Sequence, residues 1–240
     1  MIKNLIIITL VICLILLVLY LWLPYKIPGP ANLQNVHKRA EPNLYTALKN
    51  SGLRLGSPIF IRIFKQSYEL EVWIKKNTTY HLFKTYPICA YSGQLGPKLK
   101  EGDRQAPEGF YQVSQKQMNP KSRYHLSFNL GFPNKYDRQH GRTGSYLMVH
   151  GNCVSSGCYA ITNKYIEEVY LLAEAALKAG QSKFDVHIFP FRMTEQNLNQ
   201  NRNSPWFEYW KNLQEGYALF EESRQLPQID VENKKYIFHF

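Results

Sequence analysis

The chain has 240 residues, 45% hydrophobic and 20% charged, and carries 29 Lys and Arg against 18 Asp and Glu for a formal charge of +11. That composition excludes a disordered tail, a low-complexity repeat and a small disulfide-dense scaffold, and leaves one domain with a full-sized core plus appendages. The basic balance points to an anionic partner, whether a membrane surface, an acidic polymer or a nucleic acid.

Residues 5–23 contain no charge, glycine or proline. As a helix the run would be about 28 Å long, near the hydrocarbon thickness of a bilayer. Lys3 precedes it, and Tyr20 and Trp22 stand where an interfacial aromatic belt would sit. A cleaved leader ends its apolar run in small residues, whereas this one ends Leu21-Trp22-Leu23-Pro24. The expectation is therefore a short cytoplasmic N-terminus at residues 1–4 and an uncleaved transmembrane anchor at residues 5–23. Residues 24–57, with Pro24, Pro28, Pro30 and Pro42, read as a linker.

Strand patterns follow. Ile59 to Phe64, Leu70 to Ile74 and Tyr80 to Tyr86 are β-branched and aromatic-rich, separated by short polar stretches. A polar loop from Gly93 to Gly109 leads into Phe110-Tyr111-Gln112-Val113, and further strand-like stretches lie at residues 124–130 and 145–149. Helical spacing begins after Thr162 or Asn163, with Ile166, Val169, Tyr170, Ala173, Ala176 and Leu177 on one side and Gly180 as the stop. Val186 to Phe189 reads as a strand, residues 194–203 as a polar loop, and Ser204-Pro205 as the start of a second helix. The fold class is mainly β with flanking helices, an α+β domain over residues 58–193, followed by a helical extension at residues 194–240. Glu167-Glu168 and Glu221-Glu222 read as solvated helix faces, because adjacent helical residues point different ways.

The chemistry concentrates in His150-Gly151-Asn152-Cys153-Val154-Ser155-Ser156-Gly157-Cys158-Tyr159, which joins a predicted strand to a predicted helix. A thiol at such a junction is exposed, and nearby helix N-terminal amides favour its thiolate. An imidazole eight residues away can take the proton, which is what a cysteine nucleophile requires. Gly157 lets backbone N–H groups turn toward a developing oxyanion. Other readings stay open on the residues alone. His150 and Cys158 could be core residues, Cys153 could pair with Cys158, or Cys89 could pair with Cys153 and leave Cys158 free. A metal site would need a fourth ligand from His140 or His187 and has no second half-site, so no metal and no cofactor are expected. The Lys and Arg residues are scattered, without a nucleic-acid recognition pattern.

The His150-Gly151 and Ser155-x-Gly157-Cys158 elements resemble the L,D-transpeptidase catalytic domain of the YkuD type, most closely its YafK-like branch of murein transpeptidases and endopeptidases. The resemblance extends upstream through Gly96-Pro97-Lys98 and Pro107-Glu108-Gly109-Phe110-Tyr111, and covers roughly residues 58–193. It implies a mixed β-sheet sandwich core and a cysteine enzyme acting on peptidoglycan stem peptides. Cys158 would be the nucleophile and His150 the general acid/base, held in its tautomer by a backbone carbonyl. Gly157, Tyr159, Gly151 and Ser155 would support the oxyanion. The product is a thioester, resolved by an amine (a new cross-link or an attached lipoprotein) or by water. The sequence departs from commoner members in having Ser156 where they have histidine and Ala160 where they have arginine. Arg138, Arg142 or Arg192 could replace that lost charge, and Tyr146 could line the substrate groove. The implied location is the bacterial envelope, with an inner-membrane anchor and a periplasmic catalytic domain. The non-enzymatic alternative is a peptidoglycan-binding envelope protein with Cys153 and Cys158 oxidised to each other.

Overall fold

The computed structural model describes residues 9–14 and 27–240. The first stretch is helical, and most of the anchor expected at residues 5–23 lies outside the described residues. Among the described residues no helix is long and apolar enough to cross a membrane.

The chain begins with β1 (Gly29–Pro30), α1 (Leu33–Asn50), β2 (Ile59–Phe64), β3 (Glu69–Lys76), β4 (Thr79–Pro87) and β5 (Ala90–Tyr91). It continues with β6 (Gly109–Ser114), β7 (Met118–Asn119), β8 (Tyr124–His125), β9 (Ser127–Asn129), α2 (Lys135–Gln139), β10 (Met148–His150) and β11 (Tyr159–Ala160). The last part is α3 (Thr162–Lys178), β12 (Lys183–Phe189), α4 (Glu195–Gln200), α5 (Phe207–Ser223), β13 (Gln228–Glu232) and β14 (Lys235–His239). One five-stranded sheet has the order β4-β3-β2-β12-β6 and a second the order β5-β11-β10-β9-β7. The result is a mixed α+β fold with several sheets.

Strand β2 shows how the sequence dictates this arrangement. Its six residues, Ile-Phe-Ile-Arg-Ile-Phe, are all buried, so both faces of the strand are covered. Side chains alternate across a strand, so Ile59, Ile61 and Ile63 enter the main core while Phe60 and Phe64 enter two smaller clusters on the other face. Helix α3 closes the main core through Ile166, Val169, Tyr170, Ala173 and Ala176, the stripe its spacing predicts. Helix α5 closes the opposite face. Tyr217 meets Phe64 edge-on at 6.3 Å, and Phe220 packs 4.8 Å from Phe60. Arg62, the one charged residue of β2, can be buried there because it has anionic partners: Glu71 at 2.8 Å and Glu221 at 2.5 Å.

Three expectations change. The linker at residues 24–57 contains the eighteen-residue helix α1, which carries Pro42 in its interior and buries Val36, Leu44 and Leu48. Proline reads as a breaker, but packing of the apolar stripe outweighs the lost hydrogen bond here. The C-terminal extension is more than helical: β13 and β14 form an antiparallel hairpin, α4 occupies the expected polar loop, and the second helix starts at Phe207. The paired glutamates are not simply solvated. Glu167 is buried against Arg39 at 2.5 Å and His125 at 2.6 Å, Glu168 accepts from Lys84 and Tyr86, and Glu221 holds Arg62.

A second buried charge ties the C-terminal part to the strand-rich core. Lys65 and Glu108 are both fully buried and lie 3.1 Å apart. The Lys65 ammonium also donates to the carbonyls of Gln94, Gly96 and Ala106. Glu108 accepts the Gly96 amide at 2.6 Å and the Trp210 indole of α5 at 2.9 Å. Burial pushes the Lys65 ammonium below its ordinary range against the opposing pull of Glu108.

Candidate active site

His150 ends β10 and Cys158 immediately precedes β11, and these two strands pair in parallel. The register sets Val149 beside Tyr159 and His150 beside Ala160. Cys158 therefore lies two positions before the residue opposite His150, at the entry to the adjacent strand, and the ladder helps fix their relation. The Cys158 sulfur accepts the Met148 amide at 3.4 Å and lies 3.7 Å from the Tyr146 carbonyl oxygen. It is a free, half-buried thiol.

The imidazole of His150 is buried. Its Nδ1 sits 2.6 Å from the Gly151 carbonyl oxygen. A carbonyl can only accept, so Nδ1 carries the proton and Nε2 is left as the basic nitrogen. The ring lies 4.8 Å from that of Tyr124, tilted by 34°. Gly151 is required by close approach, since a Cβ there would fall 2.8 Å from both Asn163 Oδ1 and the Tyr124 carbonyl. The Tyr124 ring thus packs against the imidazole, while Asn163 and the Tyr124 carbonyl crowd the residue that follows it.

Two amides flank the thiol. Gly157 has φ +102°, a conformation open to glycine, and donates its N–H to Ser92 Oγ at 2.5 Å. Cys158 donates its own N–H to Ser155 Oγ at 3.1 Å, and Ser155 returns a hydrogen bond to the Cys158 carbonyl at 2.7 Å. Both amides are therefore held on serine hydroxyls. Tyr159 is a buried strut whose hydroxyl donates to the Pro107 carbonyl at 2.7 Å.

The electrostatics differ from the expected helix-activated thiolate. Cys158 stands four residues before α3, and burial raises its pKa, opposed by the Met148 N–H and by the charge of Lys98. Burial lowers His150, opposed by its bond to Gly151. Both shifts favour the neutral thiol and neutral imidazole over an ion pair. The thiolate fraction then grows only as pH climbs past the ordinary thiol value of about 8.5. Alkylation of Cys158 by iodoacetamide, followed by mass spectrometry, is expected to stay slow from neutral pH to that value and to steepen above it. A fast plateau already at neutral pH would contradict the neutral pair.

Residues 58–188 match the YkuD family, the L,D-transpeptidase catalytic domain. The chain belongs to that family. It is 46% identical over 183 residues to YafK of Escherichia coli K12, and the match covers 76% of this chain and 74% of that one. Two solved structures are also similar. One is the helical cell shape determining protein Pgp2 of Campylobacter jejuni, with TM-score 0.45 and 16% identity over 80% of this chain and 86% of that one. The other is Bd1075 of Bdellovibrio bacteriovorus, with TM-score 0.40 and 19% identity over 74% and 78%.

Within this L,D-transpeptidase-type domain the other candidate residues separate. Tyr146 adjoins the thiol through its carbonyl and leaves its ring exposed, with φ +55°. Arg142 was expected to be available to a substrate carboxylate; instead it is buried, paired with Asp137 at 2.8 Å and stacked over Tyr136 and Tyr209. Arg192 is likewise engaged elsewhere, between Glu69 and Glu71 at 2.8 Å each and over the Phe64 ring. Arg138 donates to the Pro133 carbonyl and lines a cavity of about 270 Å³ with Asp185 and Ile229, one without Cys158 or His150. The pairing of Cys153 with Cys158 does not form, because Cys153 is bonded to Cys89. Among the described residues no group of three or more His, Cys, Asp or Glu is gathered for a metal. Sequence reasoning missed Ser92 and Lys98 as members of the site. Lys98 ends the Gly96-Pro97-Lys98 element, but its burial beside Asp103 and the Lys100 carbonyl is a tertiary fact.

Proposed function

We propose that this protein is a cysteine-dependent acyltransferase or hydrolase acting on peptidoglycan stem peptides through a thioester on Cys158. The observation that carries the reading is the His150 tautomer: with Nδ1 bonded to the Gly151 carbonyl, Nε2 is the only basic atom the ring can offer. Immediately before the neighbouring strand stands the one cysteine of residues 27–240 left free. In the first step the Cys158 sulfur attacks the carbonyl carbon and His150 Nε2 takes the thiol proton. The developing oxyanion is stabilised by the Gly157 and Cys158 amides as they exchange their serine partners for it. The carbon–nitrogen bond then breaks, the proton passes from His150 to the departing amine, and the thioester remains. An amine or water attacks it in turn, giving transfer or hydrolysis with the same residues.

The setting agrees with an envelope enzyme. A disulfide persists in oxidising compartments outside the cytoplasm. We place residues 5–23 as the inner-membrane anchor and the domain in the periplasm, where the basic surface meets anionic lipid and wall polymer. The test is incubation of the full chain with purified peptidoglycan, followed by intact-protein mass spectrometry and fragment analysis. A stem-peptide adduct on Cys158 is expected, and adding an acceptor amine separates transfer, which yields an amide product, from hydrolysis, which ignores the amine. No adduct and no released fragment under either condition would refute the reading.

A further inference from the structure

We propose that the Cys89–Cys153 disulfide is a positioning element of the catalytic turn, so that acyl transfer by this protein depends on that bond being oxidised. The inference rests on Cys158 being the nucleophile.

The turn from Gly151 to Gly157 contains no regular strand or helix, and two of its residues, Asn152 and Gly157, have positive φ. Such a segment is not held by a ladder of its own. It is held from outside by residues 89–92, at successive points. Cys89 bonds to Cys153 across 64 residues of sequence and also donates its amide to the Ala160 carbonyl at 2.8 Å. Ala90 and Tyr91, as β5, pair with Ala160 and Tyr159. Ser92 accepts the Gly157 amide. One short segment therefore braces both ends of the turn that separates base from nucleophile.

The points are not equivalent. β5 is a two-residue edge strand, and short edge pairings open at little cost. The covalent bond locks the start of residues 89–92 to the turn itself, whereas Ser92, which orients the Gly157 amide, is otherwise held by noncovalent contacts such as the Ala106 amide to its carbonyl at 2.9 Å. Cys153 is exposed and Cys89 half-buried, so the bond is open to a soluble reductant. A dithiol would give up two electrons and two protons, becoming a disulfide itself, while Cys89 and Cys153 become thiols. Cys158 is already a thiol and gains nothing. Under a plain cysteine mechanism a reductant protects the enzyme; under this inference it inactivates it.

The experiment uses the full chain in detergent micelles with peptidoglycan fragments as substrate. The double variant Cys89→Ser/Cys153→Ser is compared with wild type, and wild type is compared before and after dithiothreitol, with thiol counting by mass spectrometry. Assays run well below the melting temperature of each sample, so that a loss of global stability does not lower the folded fraction. The expected result is a kcat reduced about tenfold or more with KM changed little, as for a displaced catalytic group, and recovery of reduced wild type on reoxidation. A folded double variant or reduced wild type with unchanged kcat overturns the inference. So does unfolding of both samples, which would make the bond a global staple. Residual activity in Cys158→Ala would instead sink the nucleophile assignment, an outcome distinct from either.

Discussion

Cys158→Ala is expected to abolish turnover of peptidoglycan fragments, by about a thousandfold or more, as removal of a nucleophile does in acyl-transfer enzymes. Nothing in the site stands ready to replace it. Cys89 and Cys153 are bonded to each other, and the hydroxyls of Ser92 and Ser155 are engaged with the Gly157 and Cys158 amides. His150→Ala leaves the thiol in place but removes its proton acceptor, and about 10²–10⁴-fold is expected from the lost general acid/base. Because burial favours the neutral thiol, a pre-formed thiolate is not expected to offset the missing base at neutral pH. High pH should therefore recover part of the His150→Ala loss and none of the Cys158→Ala loss. Steady-state rates across pH check both, with thermal melts expected to move little for Cys158→Ala, since a half-buried thiol loses few contacts. Turnover persisting in Cys158→Ala would end the mechanism.

Lys65→Met is expected to destabilise the fold by about 3–5 kcal/mol, the cost of leaving one member of a buried ion pair without the other. Glu108 would keep the Gly96 amide and the Trp210 indole, but its charge would face no cation in a fully buried site. The three carbonyls that converge on Lys65 would lose their donor as well. Adding Glu108→Gln should recover part of the loss, because the amide keeps an acceptor for Gly96 without the charge. Urea denaturation of the three proteins measures the cycle. A single variant within 1 kcal/mol of wild type would show that the pair contributes little.

The legible parts of the sequence were those whose signal is local. The His150 to Cys158 segment could be read because residue type, order and spacing coincide within nine positions, and β2 and α3 because apolar period and burial agree. Helix α1 was hidden by Pro42, a breaker by propensity that tertiary packing overrides. The terminal hairpin did carry a signal: alternating runs around a two-residue turn, Asn233 and Lys234, both at positive φ. Lys234 stands where glycine usually marks that turn, and so the signal was weak. The fate of the arginines was not local at all. Whether Arg142 meets a substrate or Asp137 depends on which strands and helices come together, as does the recruitment of Ser92 to Gly157.

The way the chain covers β2 bears on what counts as the unit that folds. The family match stops at residue 188, one residue short of the end of β12. Yet Phe64, Phe110, Phe189 and Phe191 are buried together with Leu198, Trp210, Leu213, Tyr217 and Tyr236, all of which come later. A fragment cut at the family boundary would bring a greasy half-sheet into water and be prone to self-association. Shared ancestry and physical autonomy thus have different edges in this protein, and for expression, truncation or domain grafting the second edge lies near the C-terminus.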